Sequence, residues 1–320
     1  MRWVKKGVIF APDHNFDWMI SHASLPVVDE VRSEVLRIYF GARDGKGHSQ
    51  TSYIEVEAAR PENVLYIHDK PVLPLGRPGT FDDSGIMPSW IVNHQNRKYL
   101  YYIGWNVKVS VPYHLSIGLA VSEDQGQSFA KVSEGPMLDR SIDEPFFNTA
   151  PCVHCEEDTW RMWYVSCTGW ETETERAEPR YHVRYAESPD GVRWRRTNHA
   201  CIDYSGETDA IGRPCVYKQQ GRYRMLYSYR DVWDYRTNRS QSYRLGYAES
   251  SDGISWTRRD SEVGIERSVS GWDSEMMEYC YLYRCGDQSY LFYNGNEFGK
   301  TGIGYAVLAE RSELSDDMQS

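Results

Sequence analysis

The chain has 320 residues, of which 14% are aromatic, and it carries a formal net charge of −10. This aromatic content favours strands over helices, and the length suits two average domains or one large all-β domain. The sequence has neither a basic stripe nor a long apolar run, so we predict no nucleic-acid partner and no membrane insertion. The N-terminal segment lacks the apolar core of a secretory signal, and the seven cysteines lack a disulfide framework, which together predict a cytoplasmic protein with reduced thiols.

The first predicted element of each repeat is a short strand that opens on a proline. Pro26, Pro88, Pro151 and Pro214 follow one another at steps of 62, 63 and 63 residues. A fifth strand, "MEYCYLY", has Cys280 near the expected place. A fixed interval of this kind indicates a repeat architecture.

The second predicted strand of each repeat carries an aromatic residue near its end. These aromatic residues follow one another at steps of 62, 62, 63 and 66, and they are Phe40, Tyr102, Tyr164, Tyr227 and Tyr293. Two independent markers therefore share one period.

In three of the repeats, the third predicted strand ends in a turn of similar sequence. The turns are "AVSEDQGQSF" at Ala120–Phe129, "AESPDGVRW" at Ala186–Trp194 and "AESSDGISW" at Ala248–Trp256. Asp accepts bonds from nearby backbone amides and Gly tolerates positive φ, so both suit a tight hairpin. The aromatic residue that ends each turn begins the fourth strand.

Four antiparallel strands in each of five units of about 62 residues predict an all-β, five-bladed β-propeller. A β-sandwich with chance spacing does not explain why three markers share one period. The segment 1–311 is predicted to form one domain, in which Arg2–Lys6 supplies the outer strand of the last blade and closes the ring. The blades are predicted to start near residues 22, 84, 147, 210 and 275, and residues 312–320 are predicted to form a solvated tail.

The sequence contains one weak signal for a metal or redox site. Cys152 and Cys155 form a CxxC pair, but no second pair follows. We therefore expect buried strand thiols at these positions and no metal ligands or cofactor.

Acidic residues precede the opening strands, where the loops of a propeller meet around its axis. Carboxylates with different protonation states suit glycoside hydrolysis, in which one donates a proton and the other activates water or attacks. These acids could equally form turns or pair with nearby arginines. The predicted catalytic candidates are Asp83, Asp209 and Glu275, each five positions before the proline or Cys280, together with Glu144 and Glu207.

Residues that suit a sugar ligand lie at the ends of the second strands and near the opening strands. Tryptophan stacks on the apolar face of a pyranose, while Arg and Asn bind hydroxyls, and Arg also binds phosphate or carboxylate groups. The tryptophans could also serve as rim packing. The predicted substrate-binding residues are His22, Arg43, Trp105, Trp170, Arg213, Arg230, Asp273 and Asn294.

The words "IGLAVSEDQGQSF", "VRYAESPDGVRW" and "LGYAESSDGISW" resemble the five-bladed propeller glycosidases of glycoside hydrolase families 32, 43, 62, 68 and 130. The resemblance covers about Met1–Glu310. In addition, "FDDSGIMPSW" and "FYNGNEFGKTGIGYA" resemble an uncharacterised branch associated with bacterial surface-polysaccharide gene clusters. The turn "SEDQGQSF" also fits the Asp box of sialidases, but those have six blades.

The resemblance implies that the catalytic acids come from the first three blades. Asp83 matches the blade-two acid, Glu144 is a shifted match for the blade-three acid, and His22 stands where blade one offers no carboxylate. In this interpretation Glu275 and Asp209 become the leading acid–base pair. Some relatives hold a calcium ion on the axis, which the carboxylates here permit.

We therefore expect a carbohydrate-active enzyme that acts on a glycosidic or sugar-phosphate bond of a small or oligosaccharide ligand. His22, Arg43 and the other arginines would hold an anionic group. One alternative is a transferase or lyase-like enzyme that modifies a nucleotide-linked sugar. The other is a non-catalytic sugar-binding propeller. The oligomeric state is left open.

Overall fold

The computed structural model describes residues 1–173, 176–205 and 210–309. Strands dominate this part of the chain, where helical structure is limited to Arg239–Gln241, Asp260–Glu262 and Asn296–Gly299. Among the described residues, no helix has the length and apolar character needed to cross a bilayer. The prediction of an all-β fold is confirmed.

The strands fall into five consecutive strand groups, which are numbered here along the chain. The described strands are β1 (Trp3–Phe10); in group one β2 (Ser21–Arg32), β3 (Val35–Arg43), β4 (Ser49–Glu57) and β5 (Val64–Ile67); in group two β6 (Gly85–His94), β7 (Arg97–Val107), β8 (Tyr113–Ser122) and β9 (Ala130–Lys131); in group three β10 (Asn148–Glu156), β11 (Thr159–Glu171), β12 (Glu178–Ser188) and β13 (Arg195–Ile202); in group four β14 (Ala210–Gln219), β15 (Arg222–Arg230), β16 (Arg244–Ser250) and β17 (Thr257–Arg258); and in group five β18 (Glu278–Cys285), β19 (Gln288–Asn294) and β20 (Ile303–Leu308).

Within each group, consecutive strands pair antiparallel. Single parallel bridges, Ser49 to Gly85 and Tyr181 to Ala210, join group one to group two and group three to group four. The N-terminal strand β1 pairs antiparallel with β20, so it completes group five as its fourth strand. This is the pairing predicted for Arg2–Lys6, and it places both ends of the described chain in one sheet.

The three repeated turns join neighbouring strand groups. In the turn of group three, the Gly191 N–H donates to Ser188 Oγ (2.9 Å), and Asp190 Oδ1 accepts from the two following amides. The Gly191 carbonyl in turn accepts a hydrogen bond from the Tyr101 hydroxyl of group two (2.9 Å). The turns of groups two and four dock in the same way, through Tyr39 Oη to the Gly126 carbonyl and Trp163 Nε1 to the Gly253 carbonyl. Each turn therefore closes a hairpin and also fastens its group to the preceding one.

The opening strands β2, β6, β10, β14 and β18 each contact the next, and β18 contacts β2; we call the region where they meet the hub. Buried thiols form contacts between them: Cys152 Sγ accepts the Val216 N–H (3.3 Å), and Cys215 Sγ accepts the Leu282 N–H (3.2 Å). All seven cysteines are free, and Cys152 of the CxxC pair is buried. These contacts give the hub thiols a packing role.

Candidate functional site

A cavity of about 660 Å³ opens over the hub and is lined by residues from all five strand groups. The residue directly before each opening proline, or before Cys280, belongs to this lining. At four of these five positions the strand pairing is irregular and the residue has positive φ, whereas Met87 is regularly paired and the irregularity of group two follows Pro88. Such bulges re-aim side chains. The five residues are Leu25, Met87, Ala150, Arg213 and Tyr279.

The cavity is strongly basic although the whole chain is acidic. Six basic side chains line it, whereas Glu297 is the only carboxylate of the lining among the described residues. Glu297 is exposed and pairs with Lys300 at 2.8 Å. An excess of cationic groups in a concave site attracts anions. The six basic residues are Arg43, Arg176, Arg213, Arg230, Arg236 and Lys300.

Two of these arginines are fixed deep in the structure. Arg213 donates to the carbonyl oxygens of Ser89 (2.6 Å) and Pro26 (3.0 Å), so its side chain connects three opening strands across the hub. Arg230 lies 3.7 Å from the centre of the Tyr235 ring and donates to backbone carbonyls. Neither guanidinium is paired with a carboxylate in the described part of the chain, so both leave positive charge beneath the cavity.

Arg43 and Lys300 flank His22 where group one meets group five. Among the described residues, the half-buried Arg43 guanidinium has no hydrogen-bonded or ion-paired partner, and burial lowers its pKa. Burial, followed by the charges of Arg43 and Lys300, lowers the pKa of His22 to about 4. His22 is therefore a neutral imidazole at neutral pH, and its Nδ1 lies 2.8 Å from Ser21 Oγ.

An aromatic wall faces the cavity from groups four and five. Arg236 lies over the Tyr235 ring at 4.7 Å and over the Phe298 ring at 4.8 Å. Its Nε donates to Glu178 (2.8 Å), which also accepts the Tyr235 hydroxyl (2.8 Å). Tyr235 is buried with Arg230 and Arg236 over its ring, so the half-buried Phe298 is the ring of this wall that can contact the apolar face of a sugar.

Glu278, which the sequence analysis missed, lies next to Tyr279 at the hub. Its side chain is fully buried, and one oxygen accepts a bond from Asn294 Nδ2 (3.1 Å). Burial raises the pKa of Glu278 to about 8, against the opposing effects of Asn294, Arg230 and other neighbours. The acid is therefore protonated at neutral pH. The sequence offered one hint, a glutamate inside an otherwise apolar and aromatic strand.

The described catalytic candidates lie outside the cavity lining. Asp83 accepts bonds from the Gly79 N–H (2.8 Å), Ser84 and Asn106, which lower its pKa although partial burial opposes them. Glu275 is exposed. Asp209 and Glu207 lie outside the described residues.

Glu144 and three other acids share one arrangement within their strand groups. Each acid accepts a hydrogen bond from the repeated tyrosine of the second strand and pairs with a basic residue of the outermost strand. Group one has Phe40 at the tyrosine position, without a hydroxyl. The sets are Asp82 with Tyr102 and Lys131, Glu144 with Tyr164 and Arg196, Asp260 with Tyr227 and Arg258, and Asp273 with Tyr293 and Lys5.

The predicted substrate-binding residues divide into two classes. Five of the eight line the cavity, and they are His22, Arg43, Trp105, Arg213 and Arg230. Trp170 packs edge-on against Tyr113 and Phe147 behind the lining, and Asn294 supports Glu278. Asp273 is buried and paired with Lys5 at 2.6 Å.

Among the described residues, the hub offers no ligand set for the axial calcium ion that the sequence permits. Calcium takes six to eight oxygen ligands, chiefly carboxylates and carbonyls. The guanidinium of Arg213 crosses this region, and the described ranges contain no cluster of three or more His, Cys, Asp or Glu side chains suited to a metal.

No protein-family model matches the chain. Two proteins of Mycobacterium tuberculosis, "Uncharacterized protein MT1551" and "Uncharacterized protein Rv1502", are each 38% identical to it over 309 residues, which is 96% of this chain and 99% of theirs.

Solved structures with low sequence identity share the fold. One glycoside hydrolase has a TM-score of 0.72 at 19% identity, over 96% of this chain and 92% of that protein. A thermostable family-43 glycoside hydrolase has a TM-score of 0.66 at 16% identity, over 93% of each chain. The Bombyx mori GH32 β-fructofuranosidase BmSUC1 has a TM-score of 0.58 at 15% identity, over 90% of this chain and 61% of that protein. The chain thus belongs to the family of the two mycobacterial proteins, and it shares the fold of GH43- and GH32-like glycoside hydrolases.

Proposed function

We propose that this chain is a carbohydrate-active protein that binds an anionic saccharide in its central cavity. The observation that carries the proposal is the charge of the lining, which in the described residues has six basic side chains and one carboxylate. Arginine presents a planar fork of donors that matches phosphate and carboxylate groups. Phe298, the half-buried ring of this wall, offers an apolar surface to the sugar ring.

The cavity is proposed to be the mouth of a five-bladed propeller, in which each strand group is one blade. One lining residue from the same position in each group supports this count. The pairing of β1 with β20 supports closure of the last blade by the N-terminal strand.

The proposed ligand is a sugar phosphate or nucleotide-linked sugar of bacterial surface-polysaccharide metabolism. The resemblance to a branch associated with that metabolism supports the context. A cytoplasmic location, also proposed, would bring the protein into contact with phosphorylated sugars. Glycoside hydrolysis by two carboxylates needs a pair about 5–10 Å apart across the bond. The described lining contributes one carboxylate, which is exposed and ion-paired, so binding of the anionic group is the better-supported function.

Acid–base catalysis on the bound sugar is a second candidate, favoured by His22. A cavity-lining imidazole that gains a proton beside a bound anion can donate it, as a general acid, to the leaving oxygen of the substrate. The test is a turnover assay with glucose 1-phosphate and UDP-glucose. Turnover by the wild type that is lost in His22→Gln, while the variant still binds the sugar, would support this role.

The binding proposal is tested by thermal shift and calorimetry with glucose 1-phosphate, UDP-glucose, glucuronic acid and neutral oligosaccharides. We expect the anionic sugars to raise the melting temperature and to bind more weakly as salt increases, because salt screens charge. Neutral oligosaccharides that bind as tightly as the anionic sugars, with no dependence on salt, would contradict the proposal.

A further inference from the structure

His22 stands out among the cavity residues because it is flanked by cations yet carries no charge itself. It lines the cavity beside Arg43 and Lys300, in a left-handed backbone conformation with φ of 64°. Ser21 contacts its Nδ1 at 2.8 Å, and the Glu297 backbone acts to raise the pKa of the ring. The charged groups that act on it are Arg43, Lys300 and Glu297.

The surroundings of His22 hold unbalanced charge. In the described part of the chain, the Arg43 guanidinium has no partner, although Glu278 and Tyr279 influence it electrostatically. Lys300 is bound to Glu297, so the two together contribute little net charge. Because Glu278 is protonated, it does not neutralise Arg43. The cluster therefore supplies about one net positive charge to a ligand at neutral pH.

One net charge matches a carboxylate, but not a phosphate monoester, which carries close to two charges. Within the cluster of Arg43, His22, Lys300 and Glu297, a second positive charge arises when His22 takes up a proton. An anion placed beside an imidazole favours the charged imidazolium and opposes the effects of Arg43 and Lys300.

We propose that His22 takes up a proton when a doubly charged oxyanion binds beside Arg43 and Lys300, and that it thereby selects doubly charged over singly charged groups. The inference rests on the proposed function and specifies the anionic group. Free His22 has a pKa of about 4, and the bound dianion raises it. Affinity for the dianion therefore increases as the pH falls through the pKa of His22 in the complex, and the increase ends near its pKa of about 4 in the free protein.

Sulfate is the probe of choice because, unlike phosphate, it stays doubly charged throughout this pH range. Calorimetry of sulfate binding at pH 6, in two buffers with different ionisation enthalpies, counts the protons taken up per anion. We expect a fractional uptake that approaches one as the pH falls, with sulfate affinity rising by up to about tenfold per pH unit. Formate, with a single charge, should show less uptake and less dependence on pH.

His22→Gln is expected to bind sulfate without proton uptake and with a flat dependence on pH. His14→Gln is the matched control, because His14 is an exposed histidine beside Asp13, and it should behave as the wild type. Melting temperatures of both variants show that the fold is retained.

The outcomes distinguish the role of His22 from the proposed binding of an anionic saccharide. Sulfate binding without proton uptake, or uptake that persists in His22→Gln, overturns the role of His22 and leaves the anionic saccharide proposal standing. If neither sulfate nor any anionic sugar binds the wild type, both the proposed function and this inference fail.

Discussion

At the scale of single residues, the hub avoids burying negative charge. Glu278 is fully buried beside Tyr279, and its elevated pKa, about 8, keeps it neutral at physiological pH. Asn294 holds one of its oxygens and also accepts the Leu25 N–H (3.1 Å). A neutral acid can thus support the cavity floor without opposing the arginines that line it.

Glu278→Gln tests this protonation state, because Gln has nearly the same shape but does not titrate. The folded-state pKa of Glu278 is above the unfolded value of about 4.3. Its contribution to stability is therefore fully present below that value and is lost as the pH rises through about 8. We expect the variant to be less dependent on pH and more stable than the wild type at pH 9, by a few kcal/mol at most.

The measurement is the free energy of unfolding in urea at pH 5, 7 and 9. Glu123→Gln is the control, since Glu123 is exposed on the surface beside Arg97. Parallel pH curves for the wild type and Glu278→Gln would show that Glu278 is ionised in the folded protein.

The candidate site was only partly predictable at this scale, and Asp82 and Asp83 show why. Both precede an opening strand, but Asp82 is buried against Tyr102 and Lys131 while Asp83 bonds to its own loop. Their positions before an opening strand predicted that both residues lie near the hub, but not the direction in which either side chain points. By contrast, Arg43 and Trp105, at the ends of second strands, do line the cavity as their position suggested.

At the scale of elements, the repeated turns, Ser–x–Asp–Gly in groups three and four and Ser–x–Asp–x–Gly in group two, were predictable because their conformation is set locally. Asp190 accepts two following amides, which, with Ser188 and despite partial burial, lower its pKa to about 2. The docking of Gly191 on Tyr101 was not predictable, because it joins residues 90 positions apart. One short motif therefore combines local folding with contact between groups.

Gly191→Ala should destabilise the protein by about 1–3 kcal/mol. Gly191 has φ of 71°, and an added methyl group would lie 2.8 Å from both Trp160 and the Tyr101 hydroxyl. Gly221→Ala is the matched control, with φ of 75° and no atom within 4 Å, so it measures the backbone cost alone. Urea unfolding compares them, and equal losses of stability would mean that close packing at Gly191 has no energetic effect.

At the scale of the whole molecule, the two ends of the described chain hold the last strand group together. Trp3 of β1 is 7% exposed, and its Nε1 donates to the Val263 carbonyl at 3.0 Å. Lys5 reaches the buried Asp273 at 2.6 Å. The N-terminal strand therefore contributes an outer strand and also neutralises an acid of group five.

Trp3→Ala should cost about 3–5 kcal/mol of unfolding free energy, as expected for loss of a buried aromatic side chain. Val4→Ala, at the adjacent exposed position, should change stability by less than about 0.5 kcal/mol. Chemical denaturation followed by tryptophan fluorescence and circular dichroism checks both. A Trp3→Ala protein as stable as Val4→Ala would show that β1 is dispensable to the fold.

The binding of anions by the cavity is tested most directly by calorimetry with glucose 1-phosphate and methyl glucoside at pH 7. We predict that the wild type binds the phosphate at least about tenfold more tightly than the glucoside, and that Arg43→Gln removes most of this difference. Arg77→Gln, which removes an exposed arginine paired with Glu134, should leave the difference intact. Equal affinity of the wild type for both sugars, or an unchanged preference in a folded Arg43→Gln protein, would contradict the account.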